Sequence, residues 1–231
     1  MNDKIIGIDI GGTKVRGILW NGGKVLKTKE ITTPENLVNF KLELNNLIKF
    51  LGETNKIAIG VAGVVKGSKL IESVNIPYIK NFDFTTLEFI PPNWKMLDND
   101  ARCFARAEYS LDSYDNLKNV FYITIGTGIG RAVVNNGKIL EIKEFEYPEL
   151  WEKEYQEIRD NKDSKILAKY LNEKIFKLIK SYKIEKIVIG GGILNKEYFW
   201  SDLKSNLNFF IEKSKLGEDA TAIGAAMLFN N

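Results

Sequence analysis

The chain has 231 residues, 44% hydrophobic and 27% charged, with a net charge of +3, enough to bury the core of one large domain or two small ones. Arginine is confined to Arg16, Arg102, Arg106, Arg131 and Arg159, and no basic cluster with interleaved aromatics suggests nucleic acid as a partner. Histidine is absent and Cys103 is the single cysteine, which excludes a His-based triad or general base, most zinc sites and an internal disulfide.

Acid–base chemistry must then rest on carboxylates, lysine, tyrosine or that thiol. No apolar run approaches membrane-spanning length, and Met1–Lys4 leads directly into a strand. A cytoplasmic protein with no signal peptide and no membrane partner is the expectation.

In chain order, Ile5–Ile10 and Lys14–Leu19 read as a β-hairpin around Gly11-Gly12, with Asp9 at the end of its first strand. Paired glycines let backbone N–H groups approach and converge on an anion. Asn21-Gly22-Gly23 turns the chain into a third strand, and residues 34–51 carry apolar side chains at helical spacing. Lys56–Val61 reads as a buried strand ending in a glycine loop at Gly63, and Asn75-Ile76-Pro77-Tyr78 as irregular.

Trp94–Leu97 reads as a strand, after which Asp98-Asn99-Asp100 opens a helix from Ala101 to about Leu111 with good capping side chains. The polar stretch Asp112–Asn116 is a candidate boundary, dividing residues 1–112 (with a returning C-terminal helix, 217–231) from 113–216. Val120–Ile125 and Arg131–Val134 read as strands around Gly126-Thr127-Gly128-Ile129-Gly130, whereas Glu141–Asp163 gives no clear pattern. A long helix from Ser164, a buried strand Lys186–Gly190 running into Gly191-Gly192, and a last helix near Asp219 follow.

The sequence also repeats itself. Laying Asp9–Arg16 on Thr124–Arg131 makes Ile10, Gly11 and Arg16 coincide with Ile125, Gly126 and Arg131, and Asn21-Gly22 falls on Asn136-Gly137. Lys56-Ile57-Ala58-Ile59-Gly60 likewise matches Lys186-Ile187-Val188-Ile189-Gly190. Two matches in the same order imply a duplicated α/β unit whose glycine hairpins face each other across a ligand-binding cleft. Neither a Walker P-loop nor a Rossmann fingerprint is present. Phosphoryl transfer needs a base for the acceptor hydroxyl, and Asp100, where a strand gives way to a helix, is the best-placed carboxylate.

Taken together, Asp9-Ile10-Gly11-Gly12-Thr13-Lys14, Asn99-Asp100-Ala101 with Ala105 and Glu108, Ile125–Gly130, Ile189–Gly192 and Gly224-Ala225-Ala226 resemble the ROK sugar kinases (repressors, open reading frames, kinases). The resemblance spans residues 5 to about 228. It implies the actin–hexokinase–chaperone ATPase fold, with two duplicated ribonuclease H-like domains of mixed sheets flanking a central cleft.

It further implies ATP and Mg²⁺, with Asp9 near the metal and the phosphates. Gly11, Gly12, Thr13, Lys14, Gly126, Thr127 and Gly128 would line the phosphates, and Gly191 and Gly192 the adenosine. Asp100 would be the general base for a hexose or amino sugar held by Gly63, Asn75 and Asn99. The family's Glu-x-Gly-His element and zinc loop have no counterpart here; Glu146-Tyr147-Pro148-Glu149 is the nearest match, making Glu146 a sugar ligand. Arg102 stands where the family usually has Asn. The resemblance also implies a homodimer. The rivals are a kinase of the same fold for another small alcohol, such as pantothenate, and a nucleotide- or sugar-binding regulator without catalysis. A DNA-binding regulator would carry an N-terminal helix-turn-helix, whereas this chain opens on the strand, so the kinase is the expectation.

Overall fold

The computed structural model describes residues 4–52, 54–111, 117–161, 163–196, 198–206 and 210–230. The expected boundary stretch Asp112–Asn116 lies outside the described residues. The chain forms two compact units, residues 1–107 with 219–231 and residues 108–218.

The first unit opens with the hairpin β1 (Ile5–Ile10) and β2 (Lys14–Trp20), followed by β3 (Val25–Thr32). Helix α1 (Leu37–Leu51) begins after Pro34, because Asn36 caps it by accepting a hydrogen bond from the Asn39 N–H. Its buried face, Phe40, Leu44 and Leu47, packs on Ile6, Ile8 and Ile10 of β1 and on β4 (Ile57–Val61). A three-stranded sheet of β5 (Val64–Lys66), β6 (Lys69–Glu72) and β7 (Phe82–Asp83) follows. These strands are too short and polar to show a period in the sequence.

The strand expected at Trp94–Leu97 is displaced: β8 is Leu97–Asn99, and Asp98 and Asn99 belong to it rather than to the helix. Trp94 is instead a buried anchor whose indole N–H donates to Ile57 O at 2.6 Å. Pairing with β4 starts at Leu97 opposite Ile59. Helix α2 (Asp100–Leu111) follows at once. The main sheet has the order β3-β2-β1-β4-β8; β1, β4 and β8 are parallel, so their C-terminal ends share one edge.

The second unit repeats this pattern. It contains β9 (Asn119–Ile125), β10 (Ile129–Asn135), β11 (Lys138–Ile139), α3 (Glu152–Asn161), α4 (Ser164–Ile179), β12 (Lys186–Gly190), α5 (Phe199–Asn206) and β13 (Phe210–Lys213). Its sheet runs β11-β10-β9-β12-β13. Helix α4 closes its core with Leu167, Leu171 and Ile175 against Phe121, Ile123 and Ile125. The duplication extends to register: Asp9 pairs with Gly60 as Thr124 pairs with Gly190.

One sequence match does not survive in space. Arg16 stands opposite Asp9, but Arg131 stands opposite Ile123. The second turn is one residue shorter, since Ile10 pairs with Val15 and Ile125 with Ile129. A single-residue slip puts a side chain on the other face of a sheet.

The last helix, α6 (Ala220–Ala226), belongs to the first unit. It lies directly on backbone: a Cβ at Gly7 would come 2.0 Å from Ala222 O, and one at Gly224 would come 1.7 Å from Cys103 O. The buried alanines Ala220, Ala222, Ala225 and Ala226 permit that approach. Gly224→Ala therefore forces α6 off α2 and is expected to destabilise the protein by about 3 kcal/mol or more, whereas Gly23→Ala, with nothing within 4 Å of its Cβ, changes stability by less than about 0.5 kcal/mol. Urea unfolding of the two variants checks both values.

Candidate functional site

In the first unit the turn between β1 and β2 closes with Gly11 N–H donating to Lys14 O at 3.0 Å. Neither Gly11 nor Gly12 has a left-handed φ, so close approach rather than turn geometry calls for glycine. A Cβ on Gly12 would lie 2.6 Å from Asn75 Cβ, and the turn therefore seats on the Asn75 segment. Its carbonyls are tied back by Thr33, whose Oγ1 donates to Gly11 O at 2.7 Å and whose N–H donates to Thr13 O at 2.9 Å. Lys14 Nζ lies 2.6 Å from Glu30.

Asp9 and Asp100 stand at the same edge of the sheet, both half-buried. Burial lifts the Asp9 carboxyl to about 8; the charge of Asp100 adds to the rise and Arg16 opposes it. Burial likewise lifts Asp100 to about 6, offset by hydrogen bonding to the backbone N–H of Ala101 and by the charge of Arg102. Arg16 is itself held by Asp219 (2.8 Å) and Glu30 (3.1 Å).

Asp100 owes its place to its neighbours. Asn99 caps α2, its Oδ1 accepting from the N–H groups of Ala101 (3.0 Å) and Arg102 (3.3 Å), while its Nδ2 donates to Gly63 O at 3.0 Å. Gly63 has φ +141, and a Cβ there would meet Glu72 O at 2.3 Å, so only glycine fits. Behind the cap, Asp98 accepts from Arg102 Nε and Arg106 Nη2, each at 2.6 Å. The geometry thus brings Asp9, Gly11, Gly12, Thr13, Gly63, Asn75, Asn99 and Asp100 into one unit, with contacts linking Gly12 to Asn75 and Asn99 to Gly63.

The second unit holds the other expected residues. Gly126 N–H donates to Gly128 O at 3.0 Å, closing the turn between β9 and β10. Gly191 has φ +95 and sits against β9, where a Cβ would be 2.4 Å from Ile125 O. Gly126 and Gly192 are different: a Cβ on either would meet nothing within 4 Å, so packing does not require glycine there. Glu146 ends a 3₁₀ turn, Lys143–Glu146. Burial pushes the Tyr155 phenol on α3 up to about 12, so it remains a hydrogen-bond donor.

Sequence reasoning missed Thr33, the Asp98–Arg102–Arg106 cluster and the whole of α3. The first two were visible only as polar residues beside predicted motifs; α3 showed a possible signal in the spacing of Tyr155 and Arg159, one helical turn apart. Among the described residues no group of three or more His, Cys, Asp and Glu could hold a metal, and no helix is long and apolar enough to cross a membrane.

A sequence model of the ROK family matches residues 5–141. The chain belongs to the ROK family. N-acetylmannosamine kinase of Haemophilus influenzae (strain 86-028NP) is 24% identical to it, over 96% of this chain and 94% of its own length. Among solved structures, the ROK family glucokinase from Streptomyces griseus in complex with glucose and AMPPNP superimposes with a TM-score of 0.78 at 18% identity, over 98% of this chain and 99% of that one. The inorganic polyphosphate/ATP-glucomannokinase from Arthrobacter sp. strain KM gives 0.79 at 23% identity, over 99% of each. The α/β fold of this ROK chain is that of the actin-like ATPases.

The raised carboxyls have a consequence for stability. Between about pH 4 and about pH 8 the folded protein keeps the Asp9 proton that the unfolded chain has released, so this contribution is complete in acid and is lost as pH rises through that window. Asp9→Asn keeps the neutral form at every pH. Its melting temperature is expected to lie closest to wild type below about pH 4 and to exceed it increasingly toward pH 8.5, by about 2–4 °C for each kcal/mol relieved. Thermal melts of both proteins across that range are the check.

Proposed function

We propose that this chain transfers the γ-phosphoryl group of ATP to a hydroxyl of a hexose or amino sugar, with Asp100 as general base. Asp100 itself carries the reading. It is a half-buried carboxyl at the first position of α2, held at about 6 and electrostatically coupled to Asp9. A carboxyl of that strength is ionised at neutral pH and is a stronger base than an exposed one, as proton transfer from a sugar hydroxyl requires. The kinases named above supply the substrate class: N-acetylmannosamine for one, glucose for another.

In this reading Gly63, Asn75, Asn99 and Asp100 hold the sugar, with Glu146 a further ligand, and Asp100 accepts the hydroxyl proton. The backbone N–H groups of Gly12 and Thr13, and of Thr127 and Gly128, bind phosphate oxygens, with Gly11 and Gly126 lining the phosphates while their own N–H groups close the turns, and with positive charge from Lys14. Gly191 and Gly192 lie against the adenosine, Gly192 with open space above its Cα. Mg²⁺ fits Asp9, a carboxyl that burial, together with the charge of Asp100, makes costly to ionise without a cation nearby. Asp9 would hold the ion through water or phosphate, and the bound ion would neutralise phosphate charge.

ADP release with a panel of hexoses and N-acetylhexosamines tests the proposal. The expected result is turnover with at least one sugar and a fall of about 10²–10⁴-fold in kcat for Asp100→Ala, with kcat/KM rising with pH through about 6 in the wild type. No turnover with any sugar, or full activity in Asp100→Ala, overturns it.

A further inference from the structure

The stretch from Glu141 to Asp163 shows no motif, yet α3 within it has a definite target: the Gly126–Gly128 turn. Tyr155 Oη donates to Gly126 O at 2.6 Å. Arg159 Nη1 donates to the same carbonyl at 2.8 Å and to Thr127 O at 3.1 Å, and Gln156 Nε2 donates to Thr127 O at 3.0 Å. A carbonyl has two lone pairs, so both carbonyls are fully used on the α3 side.

Arg159 is itself immobilised. Its Nε and Nη2 bond Asp160 at 2.7 and 2.9 Å, and its guanidinium lies 5.6 Å from the centroid of the Tyr155 ring. Lys196, just beyond Gly191–Gly192, donates through Nζ to Arg159 O at 2.8 Å.

A turn of glycines has few side chains to fix its peptide planes. A plane that rotates can offer an anion either an N–H, which attracts it, or a C=O, which repels it. Donors from α3 remove that freedom by holding the Gly126 and Thr127 carbonyls on their own side. Gly126 also lacks any steric need for glycine, since a Cβ there meets nothing within 4 Å and its φ is not left-handed. Its open side is where a ligand can come against bare backbone. The first unit obtains the same result by other means, through Thr33 on Gly11 O and Thr13 O.

We infer that Arg159, assisted by Tyr155, is a positioning residue that sets the Gly126–Gly128 turn to receive the polyphosphate of a nucleotide. This rests on the kinase reading above. The role is confined to the phosphates: Lys196 binds the Arg159 backbone carbonyl, so replacing the side chain leaves the Gly191–Lys196 loop attached.

Calorimetric titration of the full chain with Mg²⁺–ATP and, separately, with adenosine tests the inference in wild type, Arg159→Met and Tyr155→Phe. Arg159→Met is expected to weaken ATP binding by about 10–100-fold and Tyr155→Phe by about 2–10-fold, the ranges for losing charged and neutral hydrogen bonds, with adenosine affinity changed less than about twofold. A merely structural role would weaken ATP and adenosine alike, and that result overturns the inference. Unchanged ATP affinity in the folded variants also overturns it. Tyr155→Phe keeps the buried ring and decides the matter if Arg159→Met does not fold. Wild type that binds no ATP overturns the kinase reading itself, an outcome distinct from wild type that binds ATP and variants that bind it equally well.

Discussion

Two buried carboxyls, Asp9 and Asp100, are held in place by the backbone of the first unit. Asp9 is fixed in the middle of the sheet, on a strand paired on both sides. Asp100 is fixed by the Asn99 cap, which is tied in turn to the Gly63 loop. Both carboxyls are raised first by burial, and at Asp9 the charge of Asp100 adds to the rise, the condition that makes one carboxyl a useful base and the other a place for a cation.

The charges around this pair are compensated elsewhere. Asp98, two residues from Asp100, could have added a third uncompensated carboxylate. It is instead closed by Arg102 and Arg106, and Arg106 reaches on to Gly224 O at 3.3 Å in α6. Arg16 balances Asp9 only in part, because Glu30 and Asp219 share it. Arginine is scarce in this chain, and Arg16, Arg106, Arg131 and Arg159 each take such a multiply bonded position; Arg131 binds Tyr147 O and pairs with Glu149 and Glu152. The planar guanidinium can serve two or three acceptors at once, which the single ammonium of lysine does less well.

The two units show how a duplicated frame diverges. Strand order is shared, and so is the register of the parallel pairs, β1 on β4 and β9 on β12, whereas the hairpin register differs by one residue. The turns are not shared: one is shorter, and each has its carbonyls held by a different partner, Thr33 in the first and α3 in the second. Duplication preserved the sheet and left the braces to be rebuilt, since a brace depends on the chain that happens to pass nearby.

The sequence by itself determined the hairpins, the duplication, the returning last helix and the grouping of Asp9, the glycine turns, Asn99 and Asp100 into motifs. These are signals of local spacing, written in apolar period and in glycine. It also placed α1 and α4, though not the cap that starts α1 at Asn36. Only the tertiary structure decided that Trp94 is an anchor rather than a strand residue, that Arg16 and Arg131 are not equivalent, and that α3 supports a phosphate turn. Each of these depends on a partner far along the chain: Ile57 O for Trp94, the partner strand's register for the arginines, and Gly126 O and Thr127 O for α3. A hydrogen bond between residues thirty apart leaves no period in a sequence.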